Sequence, residues 1–201
     1  MDSILKLNIP LNTEGLLDEP NITQEKIIPR LTDTDEPVNL ARFRHASCLT
    51  FDNKQFIHGG KYFDEATGIS NSFNDAYLID TQFKAVKMNM DETVCTARHS
   101  HCVNAWKHYL IISGGIDQNE NPLNDIIIFN CQTFEMKKIV PSKGHILPRY
   151  SHTSHVIDDT LILIGGCNYS NVPPGICFVD LDTLFVYEFN IPVNISLFNF
   201  A

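Results

Sequence analysis

Positive charge is scarce in this sequence: 15 Lys and Arg stand against 24 Asp and Glu over 201 residues, a formal net charge of −9 at pH 7. Such a chain is a poor non-specific binder of a phosphate backbone. No apolar run approaches the roughly 18 residues that a membrane-spanning helix needs. Met1-Asp2-Ser3 opens without the charged and apolar regions of a secretory signal, so the expected location is cytoplasmic, with no membrane partner. The six cysteines (Cys48, Cys95, Cys102, Cys131, Cys167, Cys177) show no Cys-x-x-Cys and read as reduced thiols rather than a disulfide framework. Sequons at Asn21, Asn168 and Asn194 mean little without secretion. Gly-x-Gly-x-x-Gly, Gly-x-x-x-x-Gly-Lys and Gly-x-Ser-x-Gly are all missing. No catalytic, cofactor-binding or metal residue is therefore assigned in this chain.

What is present repeats. Arg-x-x-His occurs at Arg42/His45, Arg98/His101 and Arg149/His152, and each copy runs through a hydrophobic stretch into Gly59-Gly60, Gly114-Gly115 or Gly165-Gly166. From His to the first glycine is 14, 13 and 13 residues, and the glycine pairs are 55 and 51 residues apart. A period near 50 marks an array whose units bury their apolar faces against one another.

Each unit reads as four strands. The first pair are Cys48–Phe51 with Gln55–His58, Cys102–Ala105 with Tyr109–Ser113, and Thr153–Ile157 with Thr160–Ile164, each joined by a polar turn. A loop then leads to Asp75–Asp80, Asp125–Asn130 and Ile176–Asp180, followed by Phe83–Met88, Phe134–Ile139 and Leu184–Phe189. Four strands per unit of about 50 residues is a propeller blade. The expected fold is all-β: a β-propeller with three four-stranded blades and an incomplete ring.

The blades occupy 41–90, 91–140 and 141–192. Residues 1–40 read as the outer strand of a preceding blade (Ile4–Ile9) plus an acidic insertion (Asn12–Glu36), and 193–201 as the start of a further blade or a tail. Leu7-Asn8-Ile9-Pro10 echoes Phe189-Asn190-Ile191-Pro192. Three blades and a strand do not close a ring of the usual 4–8 blades, so the chain reads as a fragment, with a short open array as the alternative.

Two constellations have the residue types of a site. His99, His101 and Cys102, His152 and His155, and His45 and Cys48 could ligate a metal, but His45, His101 and His152 share one repeat position on different blades, which a structural role explains better. Arg42, Arg98 and Arg149 could bind an anion, or could each tie a blade together through carbonyls or an acidic neighbour; the second is expected. Recognition is expected instead from loops, Lys61–Phe73 above all.

Arg-x-x-His, the glycine pair and Asn74-Asp75 or Asn124-Asp125 resemble the kelch repeat; Pro173-Pro174-Gly175 departs from it in the third unit. Ala97-Arg98-His99-Ser100-His101, Pro122-Leu123-Asn124, Pro148-Arg149-Tyr150-Ser151-His152-Thr153 and Val179-Asp180-Leu181 are similar to the C-terminal propeller of the wybutosine-synthesising, leucine carboxyl methyltransferase-like enzymes, over about 41–189. That resemblance implies a parent enzyme using S-adenosylmethionine to methylate and methoxycarbonylate the wybutosine precursor of phenylalanine tRNA. The cofactor residues of that family lie in a domain this sequence lacks, so no cofactor is assigned to the segment. It is expected to serve as a substrate-positioning or interaction scaffold, with phenylalanine tRNA as partner through the parent. The alternative is a non-enzymatic kelch module, a ubiquitin-ligase substrate adaptor or a cytoskeletal scaffold, with a protein partner.

Overall fold

The computed structural model describes residues 28–169 and 175–189, and the backbone of two further strands, Leu5–Asn8 and Asn21–Gln24. Among the described residues there is no helix. Three antiparallel sheets follow one another along the chain. The first holds Ala46–Leu49, Gln55–His58, Ala76–Ile79 and Lys84–Met88. The second holds Cys102–Trp106, Tyr109–Ser113, Ile126–Asn130 and Met136–Lys138. The third holds Thr153–Ile157, Thr160–Ile164, Ile176–Asp180 and Val186–Phe189. These are the three blades, each a simple meander, and the described sheets form no closed ring.

The unbroken apolar run Leu110-Ile111-Ile112 follows from the period of a strand, which sends alternate side chains to opposite faces. Leu110 and Ile112, with Ile127 and Phe129, join Phe56, Leu78 and Met88 of the first blade. Ile111 and Ile126 join Leu161, Leu163 and Val179 of the third. A middle blade buried on both faces must be apolar on both, and all six of its residues just named are 0% or 1% exposed.

Turn chemistry sets the blade edges. Asp80, Asn130 and Asp180 each end a third strand, and their side-chain Oδ1 accepts backbone N–H bonds from the following turn, from Gln82, Gln132 and Asp182 at 2.8–3.1 Å. The first strand of the first blade begins two residues before the expected Cys48. Thr50 instead closes the turn, its Oγ1 donating to Asp52 Oδ1 at 2.6 Å and accepting from Lys54 N at 3.0 Å.

The loop Lys61–Phe73 is in fact a β-hairpin, Lys61–Asp64 paired with Ile69–Ser72. Within 1–40, Leu5–Asn8 pairs antiparallel with Asn21–Gln24, and Arg30–Leu31 runs parallel to Lys84–Met88 as a fifth strand on the first blade. The loop Pro173-Pro174 and the segment 193–201 lie outside the described residues.

Candidate recognition site at the glycine-pair end of the blades

The repeated motif is a clasp between neighbouring blades. The N–H of Gly60 donates to the carbonyl of Arg98 at 2.9 Å, and that of Gly115 to the carbonyl of Arg149 at 2.9 Å. Arg98 N and Arg149 N donate back to Phe73 O and Leu123 O at 3.1 and 3.0 Å. A Cβ on Gly59 would stand 2.6 Å from Arg98 O and 2.9 Å from the ring of His101; on Gly114 it would meet Arg149 O and the ring of His152 at 2.6 and 3.0 Å. The first glycine therefore gives room to the next blade's histidine.

The arginines hold their own blades. Arg98, fully buried, donates bidentately to Asp125 at 2.7 and 3.0 Å and to Gly114 O at 3.0 Å. Burial alone would raise the Asp125 carboxyl, but the Arg98 hydrogen bond and charge hold it below its ordinary value. Arg42 grips Asp75 and Gly59 O in the same way. Arg149 has no such aspartate. It reaches Glu188 Oε1 on the fourth strand at 3.2 Å and Gly165 O at 3.4 Å, a looser version of the grip.

The histidines divide. His101 is 5% exposed, with Nε2 2.9 Å from Nδ1 of His58; His152 Nε2 is 3.3 Å from Ser113 Oγ. Burial, with the nearby Arg98 charge, holds His58 down to about 3, and burial, with Arg149, holds His152 at about 3. His45 and His155 are exposed, Cys102 donates through Sγ to the carbonyl of His152 at 2.9 Å, and Cys48 lies against the core of the first two blades. Among the described residues no three His, Cys, Asp or Glu are grouped to hold a metal ion.

The residue after each arginine pairs with the chain just past the glycine pair, Phe43 with Lys61, His99 with Ile116 and Tyr150 with Cys167. Arg44, Ser100 and Ser151 take positive φ of 56°, 54° and 52°. Ser100 N donates to Arg44 O and Ser151 N to Ser100 O, both at 2.8 Å, a backbone ladder that fixes all three blades at one rim. Along it stand Phe43 and Arg44, His99, and Tyr150, different side chains on one scaffold.

Next to this ladder three blades meet at Glu120. Lys61 Nζ lies 2.6 Å from Oε1, Tyr169 donates its hydroxyl to Oε2 at 3.3 Å, and His99 Nε2 is 3.9 Å from Oε1. The lysine holds the Glu120 carboxyl below its ordinary value. Glu120 sits at φ 61° in the turn Asp117–Asn121, whose Asp117 Oδ1 accepts from Asn119 N and Asn121 N at 2.8 Å. Gln118 fastens that turn to the Lys61–Ser72 hairpin, accepting from Ser72 N and donating to Ser70 O. Of this cluster, sequence reasoning pointed to the Lys61–Phe73 stretch and to His99, with Tyr150 noted only as part of Pro148–Thr153; Arg44, Glu120 and Tyr169 were not singled out.

The KLHDC2/KLHL20/DRC7 Kelch-repeats domain model matches residues 23–192. The chain belongs to the kelch-repeat family. It is 29% identical over 183 residues to human tRNA wybutosine-synthesizing protein 4, covering 86% of this chain and 26% of that protein. The rat protein of the same name is 29% identical over 171 residues, covering 78% of this chain and 23% of that one. This kelch chain thus spans about a quarter of the length of the curated relatives it matches. The solved structure of YjhT superposes with a TM-score of 0.61 at 13% identity over 77% of this chain and 54% of that one, a likeness of fold alone.

Proposed function

We propose that this chain is the kelch-propeller segment of a cytoplasmic tRNA-modifying enzyme, and that it positions phenylalanine tRNA carrying the wybutosine precursor. The observation that carries this reading is the match to two wybutosine-synthesizing relatives across 86% and 78% of the chain. Methyl and methoxycarbonyl transfer, with S-adenosylmethionine, belong to the rest of the parent enzyme. The segment's part is orientation, which is worth a large factor in rate when a bulky substrate must be placed within about an ångström. An overall acidic scaffold can serve because the contact is local: Arg44 and Lys61 stand among the exposed rings of Phe43 and Tyr169.

The test is a nucleoside profile of tRNA from cells lacking this gene. Accumulation of the unmethylated wybutosine precursor, reversed by the intact gene and not by one carrying disruptive changes in this segment, supports the reading. A normal profile overturns it. Tyr62, Phe63 and Ile69, 44%, 49% and 54% exposed on one hairpin, favour a protein partner as the second reading.

A further inference from the structure

Side chains from all three blades gather around Glu120. Its carboxylate receives Lys61 from the first blade and Tyr169 from the third, while His99 of the second stands 3.9 Å from Oε1. The Lys61 side chain is only 17% exposed, low for a lysine, and its ammonium is turned onto Glu120. His99 is 1% exposed and its Nε2 has no hydrogen-bond partner. Burial, with Lys61, holds this ring down to about 4, so it is neutral at pH 7. With Nδ1 3.1 Å from the Ser100 hydroxyl, accepting there leaves an N–H on Nε2, aimed at the carboxylate but 3.9 Å from it. Glu120, reaching in from its turn, meets Lys61 and Tyr169 but stops short of the third donor.

A phosphate, wider than a carboxylate and with oxygens on every side, could reach all three donors. Arg44, exposed and without an ion pair among the described residues, lies close enough for its charge to act on His99, Tyr150 and Tyr169. Beside these stand the Tyr150 and Tyr169 rings, 5.6 Å apart and tilted by 49°, with Tyr169 63% exposed, and Phe43, 46% exposed. Positive charge next to open aromatic faces is the chemistry that takes a phosphate and its adjoining base.

We infer that this cradle binds one nucleotide of a single-stranded RNA segment, and that Glu120 is a built-in placeholder which the nucleotide phosphate displaces. The RNA source of the nucleotide rests on the tRNA reading above; the cradle itself does not. While Glu120 occupies the site, apparent affinity is reduced by the fraction of molecules in which it is swung out. Removing the placeholder's charge therefore strengthens binding, whereas loss of an ordinary surface carboxylate leaves it unchanged.

Calorimetric titration of the full chain with adenosine 5′-monophosphate tests this, with adenosine, inorganic phosphate and acetate as comparison probes. Glu120→Gln, at a half-exposed position, is expected to keep the melting temperature and tighten the nucleotide by about tenfold. Lys61→Met is expected to abolish binding in both backgrounds, and adenosine and phosphate alone should each bind more weakly than the nucleotide. Unchanged or weaker binding by Glu120→Gln overturns the inference. So does acetate binding as tightly as the nucleotide, which would mark a carboxylate site suited to a protein terminus. The tRNA reading stands or falls separately on the nucleoside profile: a defective profile with an inert Glu120→Gln removes only the cradle, and a normal profile with tightened nucleotide binding removes only the tRNA role.

Discussion

His58 and His101 meet across the first blade junction, Nδ1 to Nε2 at 2.9 Å, with His58 fully buried and His101 5% exposed. His152 repeats the arrangement against Ser113 at the second junction. The Nδ1 atoms of His101 and His152 have no hydrogen-bond partner, and at His58 burial outweighs the help that Asn74 Oδ1, 3.5 Å from Nε2, and Asp75 would give an added proton.

Acid should therefore open the junctions. Burial holds His58 and His152 at about 3 and His101 well below its ordinary value, all beneath the unfolded value of about 6.5. The unfolded chain then binds the extra protons. Stability is full above pH 6.5 and is lost as pH falls toward 3. The carboxylates of Asp75 and Asp125 are held below their ordinary values, so the stability they lend is not lost until the pH falls below about 4, the unfolded value. Urea midpoints should fall between pH 6.5 and 4, by a few kcal/mol in unfolding free energy, and His152→Gln should flatten that slope. A flat profile over this range would show that these rings are protonated in the fold.

Gly114→Ala should cost about 3 kcal/mol or more, because the new Cβ would meet Arg149 O at 2.6 Å with φ at 56°. Gly68→Ala is the control: it shares a positive φ of 68° but has nothing within 4 Å, so about 1 kcal/mol is expected. Equal losses in denaturant melts would remove the clasp as the reason for the glycine pair.

The two buried arginines should respond unequally to lysine. Arg98→Lys breaks a bidentate grip on a carboxylate whose side chain is 7% exposed, and should cost about 3 kcal/mol. Arg149→Lys loses single, longer contacts at 3.2 and 3.4 Å and should cost less than half as much. Urea unfolding of the two variants side by side measures the difference.

Much of this was legible in the chain. The strands Gln55–His58, Tyr109–Ser113, Thr153–Ile157, Thr160–Ile164 and Ile176–Asp180 follow from apolar runs bounded by turn residues and glycine pairs. The arginine grip was legible too, since repetition at one position argues for a structural part. Lys61–Phe73 was not read as a hairpin, because Glu65–Gly68 is a plain polar turn and its strands are largely exposed, without the alternation a buried face imposes. Nor was His58 singled out. It occupies the place before the glycine pair, where the other blades have Ser113 and Ile164, and it acquires meaning only from His101, 43 residues away. Glu120 and Tyr169 were hidden for the same reason: contacts between blades leave no local period.

The lone tryptophan gives the last prediction. Trp106 closes the first turn of the second blade and donates Nε1–H to Asp159 Oδ1 of the third at 2.8 Å, while Lys107 Nζ lies 4.4 Å from its ring centroid. Its fluorescence therefore reports the second junction, whereas far-ultraviolet circular dichroism reports strands in all three blades. In an array stabilised by neighbour contacts, weakening one junction can uncouple it from the rest. In wild type the two signals should coincide on denaturant titration. Gly114→Ala, which strikes the second junction, should bring the Trp106 transition to lower denaturant than the dichroism transition. Gly59→Ala, which strikes the first through a Cβ 2.6 Å from Arg98 O, should bring the dichroism transition forward and leave Trp106 later. Coincident transitions in both variants would mean that the three blades unfold as one unit, with the clasps too strong to be broken singly.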